Sequence, residues 1–448
     1  MKRLCSITIF LTSTALLLTA PQPVAAEDQV PKPKIIPAKT ITSSLPMTIK
    51  GITKGYDDFE KKTPGTVQIP ESLGCVCCLT GLTPENVDDY KKTIKENGLK
   101  NITILNVNNS KLKKYRDAGL FENVRALAMS EYDKVQHQFP SSYKNSEPSS
   151  QNPKDFLTDL SPLSGLKNLT SLDLVQCEHV TDLSPLSTSK NLVFLALGNC
   201  NDQTNFAPLG NIDGLRQLFL ANSEKLTNLS TLANLKQLKQ LHVANCYSIK
   251  DISPLSNLRN LDTLTLNTSE KIDVSPLSKL TNLTFLFLNG NEFTGLSTLT
   301  SLKKLKSFDL SCRNQFTDLT PLSKLTNLTE LSIDSLKLKN LSGMASLKNL
   351  KSFSLCCNNP TSLSGLSDCK SLESLSLMCS RADDYSPVGK LENLKSLDCF
   401  GCSNLTDVSV FAGLKKLKRL YISACGEDKP KGIKELQKQL PNCKIEIN

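Results

Sequence analysis

The sequence predicts an α/β solenoid of about fifteen turns, with a curved parallel β-sheet on its concave side and 3₁₀ or short helical segments on its convex side. Three observations predict it. The stretch Leu160–Leu174, LSPLSGLKNLTSLDL, returns every 22 or 23 residues. Each copy contains a Leu-x-Leu core, from Leu172/Leu174 to Leu420/Ile422, in twelve copies separated by six steps of 23 and five of 22, so no drift accumulates. The return segment spaces its leucines three apart, as at Leu160, Leu163, Leu166 and Leu169, which suits the three-residue turn of a 3₁₀ helix. In a strand alternate side chains face opposite ways, so the two Leu of Leu-x-Leu point inward and their neighbours outward. One such turn cannot bury both edges. Stacking buries them, and each enclosed Leu contributes roughly 1.5–3 kcal/mol before conformational entropy is subtracted.

From the N-terminus, Lys2 and Arg3, the apolar run Ile7 to Ala20 and the small residues Val24, Ala25 and Ala26 read as a secretory signal over residues 1–26, cut before Glu27. The chain is therefore expected to be exported: secreted, periplasmic or at the cell surface. No second apolar run of about 18 residues follows, so no membrane span is expected. Residues 27–74, rich in Pro, Lys and Thr, read as a flexible leader. A cap with a helix is expected over 75–98, where Thr83 and Pro84 open the helix, Val87, Tyr90 and Ile94 share a face, and Gly98 ends it.

The repeats are expected over 99–425. LKNITILNV at Leu99–Val107 aligns with Leu166–Leu174, which sets Leu105 against Leu172, and Leu127 follows 22 residues after Leu105. The next step spans 45 residues and holds the polar segment Gln136–Asn152, so a loop insertion is expected at about 136–155 in place of a degenerate repeat. Residues 426–448 read as a C-terminal cap with a helix over Gly432–Leu440 and a last strand at Ile445/Ile447. With Leu105, Leu127 and Ile445 the strands number fifteen. At about 4.8 Å per strand they would form a ribbon on the order of 70 Å long.

Two repeats, KDISPLSNLRNLDTLTL (Lys250–Leu266) and TDLTPLSKLTNLTELSI (Thr317–Ile333), carry a family resemblance. They resemble the 22-residue bacterial leucine-rich repeats of the internalin type, over about Leu99 to Ile447. The resemblance implies a leucine-rich repeat solenoid and the role of a surface or secreted adhesin or invasion factor that binds host proteins on the concave face. The chain departs from that pattern in its many cysteines and in showing neither an immunoglobulin-like module nor a sorting tail after the repeats.

Net charge is +10, and +8 without Lys2 and Arg3. The lysines recur in the Leu-Lys-x-Leu segments and are spread over one face, which reads as a solvated basic back and not a nucleic-acid groove. Fifteen of the sixteen cysteines follow the signal, an odd number. Cys177, Cys200, Cys246, Cys402 and Cys425 fall three residues after the second strand Leu, where leucine-rich repeats place a buried Asn or Cys, so a core role is expected. Cys369 and Cys399 stand where other repeats have a buried leucine. The pairs Cys177/Cys200, Cys402/Cys425 and Cys357/Cys379 occupy matching positions of adjacent turns, but parallel side chains keep their Cβ atoms too far apart for a relaxed disulfide, and thiols are expected. Cys75, Cys77 and Cys78 form a cluster without a Cys-x-x-Cys spacing or a nearby His and read as a structural staple.

His137, His179 and His242 are the only histidines, and none lies in a nucleophilic triad or a His-Glu-x-x-His spacing. Neither catalysis nor a cofactor or metal is expected. The outward strand columns are more telling. Phe194, Phe219, His242, Phe285 and Phe287 fall on outward positions within five consecutive turns, where exposed aromatics cost solubility and favour a binding hot spot. They are the candidate ligand-binding residues. The alternative is that they pack against one another across strands. Beyond Phe287 the columns turn to Ser with Asp309, Glu330, Asp334 and Asp398, and Phe400 and Tyr421 form a second, weaker candidate. The function expected is an exported, non-catalytic protein-binding module, an adhesin, effector or surface interaction protein. The alternative is an envelope-associated scaffold that binds polysaccharide or another envelope protein.

Overall fold

The structure, a computed structural model, describes residues 34–37, 77–80, 102–107, 112–117, 119–129, 157–175, 179–199, 205–268, 271–312, 317–357, 362–378, 382–423 and 429–447. The signal, the 83–98 helix and the 136–155 insertion lie outside them. The chain divides into two units, Met1–Lys225 and Leu226–Asn448.

One repeat of the second unit shows why the sequence folds this way. Asp251 opens the return segment: its carboxylate accepts the backbone N–H of Ser253 at 2.8 Å and the Ser253 hydroxyl at 2.8 Å. Pro254 sits in the first 3₁₀ turn, where no N–H is needed. The N–H groups of Leu255, Leu258 and Leu261 then donate to the carbonyls three residues back, those of Ile252, Leu255 and Leu258, at 3.0, 2.9 and 2.9 Å. Three-residue hydrogen bonding is thus the cause of the three-residue leucine spacing, and all four apolar side chains are buried. The strand follows, with Leu264 and Leu266 fully buried and Thr265 between them half-buried on the other face.

In the first unit, β1 (Lys34–Pro37) pairs antiparallel with β2 (Cys77–Thr80). From β2 onward the ladder is parallel: β3 (Ile102–Val107), β4 (Val124–Met129), β5 (Ser171–Val175), β6 (Phe194–Gly198) and β7 (Gln217–Ala221). The cysteine cluster therefore contributes Cys77 and Cys78 to a strand beside the first repeat. Helix α1 (Leu112–Asp117) lies between β3 and β4 and buries Leu112 and Tyr115, with Tyr115 edge-on to Phe121 at 6.4 Å.

The register at this end differs from the sequence alignment by one residue. Ile104, not Leu105, stands opposite Leu127, which in turn stands opposite Leu172, and irregularities flank both ends of the β3–β4 match. An extra residue in a bulged strand shifts every following side chain, which a gapless alignment cannot show. Strand β4 pairs directly with β5, so the 45-residue step adds no strand between them.

The second unit continues with β8 (Gln240–Ala244), β9 (Thr263–Asn267), β10 (Lys271–Asp273), β11 (Phe285–Gly290), β12 (Glu292–Thr294), β13 (Ser307–Cys312) and β14 (Glu330–Asp334). It ends with β15 (Ser352–Cys356), β16 (Ser374–Met378), α2 (Ser386–Gly389), β17 (Ser396–Phe400), β18 (Arg419–Ser423), α3 (Ile433–Gln439) and β19 (Lys444–Ile447). Its main ladder is parallel in strict register, so Leu264, Leu286, Phe308, Leu331 and Phe353 form one inward column. Strands β10 and β12 form a separate two-stranded parallel ladder between turns. At the end, β19 pairs with β18, and α3 buries Leu436.

Candidate binding surface

Because leucines fill the inward columns, chemistry on this sheet is confined to the outward ones. In the first unit Phe194 stands opposite Ser171 and Gln217, and Phe219 stands opposite Ala196. The two rings meet diagonally at 5.5 Å with a 43° tilt. Phe219 is 8% exposed and Phe194 is half-buried, so Phe194 is the part of this pair that solvent reaches. The cross-strand packing weighed as an alternative is present here, and it fixes the orientation of both rings.

In the second unit the middle column runs His242, Thr265, Phe287, Asp309, Ser332, Ser354, Ser376, Asp398, Tyr421 and Glu446. The His242 Nδ1 lies 3.0 Å from the Thr265 hydroxyl, and burial depresses the imidazole to about 4, so it is neutral at physiological pH. Phe287 is 8% exposed and Asp309 is 5% exposed, while Phe285, one column over, is half-buried. Phe285 stands between Thr263 and Ser307, both largely buried, and so projects from a floor of small hydroxyl side chains.

Farther along, the column becomes serine and then charged. Arg419 lies 3.8 Å from Asp398, 3.9 Å from Glu446 and 5.7 Å from the ring centre of Tyr421, so the weaker candidate Tyr421 is part of an ion-pair and cation–π group. Phe400, at the strand edge beside Met378, is 45% exposed, and Tyr247 is 44% exposed with its hydroxyl 2.9 Å from the Asn245 Oδ1. Among the described residues these two are the most exposed large apolar side chains. Sequence columns pointed to Phe400 but missed Tyr247, which follows the strand and has no fixed place in Leu-x-Leu.

A second feature missed by sequence is an asparagine row at the strand exits. Asn199, Asn222 and Asn245 take left-handed backbone angles, φ 56, 50 and 55, a conformation Asn tolerates better than most residues. Asn222 donates to Asn199 at 2.6 Å in the first unit, and Asn267 donates to Asn245 at 3.1 Å in the second. The signal was there in the repeated Asn after the strand.

The cysteines that the structure describes are mostly core. Cys246, Cys312, Cys357, Cys369, Cys399, Cys402 and Cys443 are buried, and Cys356 is half-buried. The Cys402 Sγ lies 3.4 Å from the Leu377 carbonyl, and burial pushes the Cys369 thiol up to about 11. Cys177, Cys200, Cys379 and Cys425, one or both members of each expected pair, lie outside the described residues. No group of three or more His, Cys, Asp or Glu suited to a metal ion occurs among the described residues. No helix among them is long and apolar enough to cross a membrane.

Comparison with known proteins agrees with the geometry. A family model for leucine-rich repeats, in two copies, matches residues 281–324. An internalin (inlF) from Listeria monocytogenes superposes with a TM-score of 0.52 at 22% identity, over 82% of this chain and 88% of that one. The chain is a leucine-rich repeat solenoid. The solenoid is also similar to an internalin C2 from the same organism (29% identity, 41% of this chain, 70% of that one, TM-score 0.29). A leucine-rich repeat protein of Leptospira interrogans shows 17% identity over 80% of this chain and 98% of that one, with a TM-score of 0.46. No curated protein matches the solenoid.

Proposed function

We propose that the solenoid is an exported, non-catalytic protein-binding module, an adhesin, effector or surface interaction protein, and that it takes its partner on the sheet face turned away from the core. The observation that carries this reading is the contrast between the two faces of one ladder. Inward columns are filled by buried apolar residues, most of them Leu, as stacking demands, whereas outward columns carry Phe285, Phe287, His242 and Asp309, which stacking does not demand. A rigid parallel ladder presents such side chains with little entropy left to lose on binding. Phe194 and Phe219 make a comparable patch on the first unit.

In this reading the half-buried Phe285 makes the contact on the second unit beside the more deeply set Phe287, and on the first unit Phe194 does so, held by its ring contact with Phe219. Phe285→Ala is expected to weaken partner binding tenfold or more, as hot-spot aromatics do, with the melting profile unchanged. Binding that survives both Phe194→Ala and Phe285→Ala would remove this face from the proposal. Export is tested separately: protein recovered outside the cytoplasm should begin at Glu27, and an intact Met1 there would refute cleavage.

A further inference from the structure

The second unit concentrates its cations on one flank. The six residues that enter each main-ladder strand from β8 to β18, such as SLKKLK before β13 and GLKKLK before β18, hold sixteen Lys and Arg side chains against four carboxylates. All sixteen cations are exposed. Every one of these turns contributes at least one cation, and the turns stack about 4.8 Å apart, which makes a continuous cationic stripe along the ladder.

The stripe is ordered. Lys304 reaches the Asn282 side chain at 2.7 Å, Lys416 reaches Asn393 at 2.7 Å, and Lys370 reaches the Lys390 carbonyl at 3.0 Å, so these side chains lie along the stacking direction. Lys395 is the member held by a carboxylate, Glu373, at 2.6 Å. The starts of the return segments carry Asp251, Asp273, Asp384 and Asp407, each accepting hydrogen bonds from the residue two positions on, alongside exposed cations such as Lys250 and Lys271.

We propose that this cationic flank is a docking surface for a linear polyanionic glycan, sulfated or uronate-bearing, laid along the stacked turns. The shape of the stripe, long and about one or two side chains wide, matches an extended chain of regularly spaced anions. Fifteen of the sixteen cations are Lys, compact point charges that accept such anions without the bidentate geometry of Arg. The entering segments contain no aromatic residue, which leaves no platform for stacking single-stranded bases and no wedge for a lipid interface. The flank is distinct from the sheet face assigned to a protein partner and does not depend on it.

Heparin tests the proposal on the full chain, by titration at about 0.05 M salt, where exposed charges are weakly screened. Wild-type protein should bind heparin and release it as salt rises. Replacing Lys303, Lys304 and Lys306 together by Gln should weaken binding roughly tenfold, at the exposed-pair value of about 0.5 kcal/mol per Lys. Replacing Lys250, Lys337 and Lys339, exposed residues after strands, by Gln makes the same change in net charge and should alter binding less than twofold. If the first triple variant melts early, the triple Gln variant of Lys415, Lys416 and Lys418 gives the same reading. Equal losses in stripe and control variants, no heparin binding, or tighter binding to an oligonucleotide or to phosphatidylserine vesicles would each overturn it.

Discussion

At the scale of single residues, the most repeated device is the side chain that opens each return segment. Asp182, Asp318, Asp384 and Asp407 are held below the usual carboxylate range, first by hydrogen bonds from the backbone or hydroxyl of the residue two positions on. A carboxylate depressed on folding stabilises the fold above its unfolded value and loses that contribution as pH falls through its folded value. The melting temperature should therefore drop as pH is lowered from about 5 to 3. Asn205, Asn228 and Asn340 fill the same position and make the same backbone bond without a charge. Asp384→Asn should thus fold at neutral pH with a flatter acid limb, and an unchanged limb would show that these bonds carry no linkage. His242 adds a second window: its stabilising neutral form is fully present above about 6.5 and is lost as pH falls toward about 4. His242→Gln should remove that part of the pH dependence, read by thermal melts at pH 7, 6 and 5.

At the scale of elements, the turn is held by three ties: the 3₁₀ hydrogen bonds, the leucine columns and an asparagine amide that reaches the previous turn. Asn282 donates to the Arg259 carbonyl at 2.9 Å, and Asn260, Asn327, Asn349 and Asn393 repeat the bond. Asn282→Ala should cost about 1 kcal/mol and Leu264→Ala about 2–5 kcal/mol, measured by urea denaturation. Gly343 shows a different constraint. It opens its 3₁₀ turn at φ 98, and an added Cβ would lie 2.6 Å from the Leu319 carbonyl oxygen, so Gly343→Ala should destabilise that turn beyond any loss of helix propensity.

These elements also mark what could be read in advance. The period and the Leu-x-Leu core give the strands and their inward columns because stacking imposes the same geometry on every copy. Such a period says nothing where a copy departs from it, and there the reading failed or fell silent. A bulge moved Ile104 into the place expected for Leu105. Tyr247 stands outside the strand columns, and the depth of Phe219 and Phe287 depends on the size of their neighbours, which a column position does not encode.

At the scale of the whole molecule, each unit buries one face of its sheet for stability, and the other face is the one we propose for recognition. Stacking constrains the inward residues far more than the outward ones, so outward residues should tolerate substitution without loss of the fold. The solenoid fold is shared with an internalin at 22% identity.

The central claim is that the outward face of the second unit carries the partner. Site-specific photo-crosslinking tests it most directly, with a benzophenone side chain introduced in turn at Phe285 and Ser332 on that face and at Ser256 in a return segment. The account predicts that one protein species is captured from Phe285 and Ser332 and not from Ser256. Capture of the same species from Ser256, with none from Phe285 or Ser332, would contradict it.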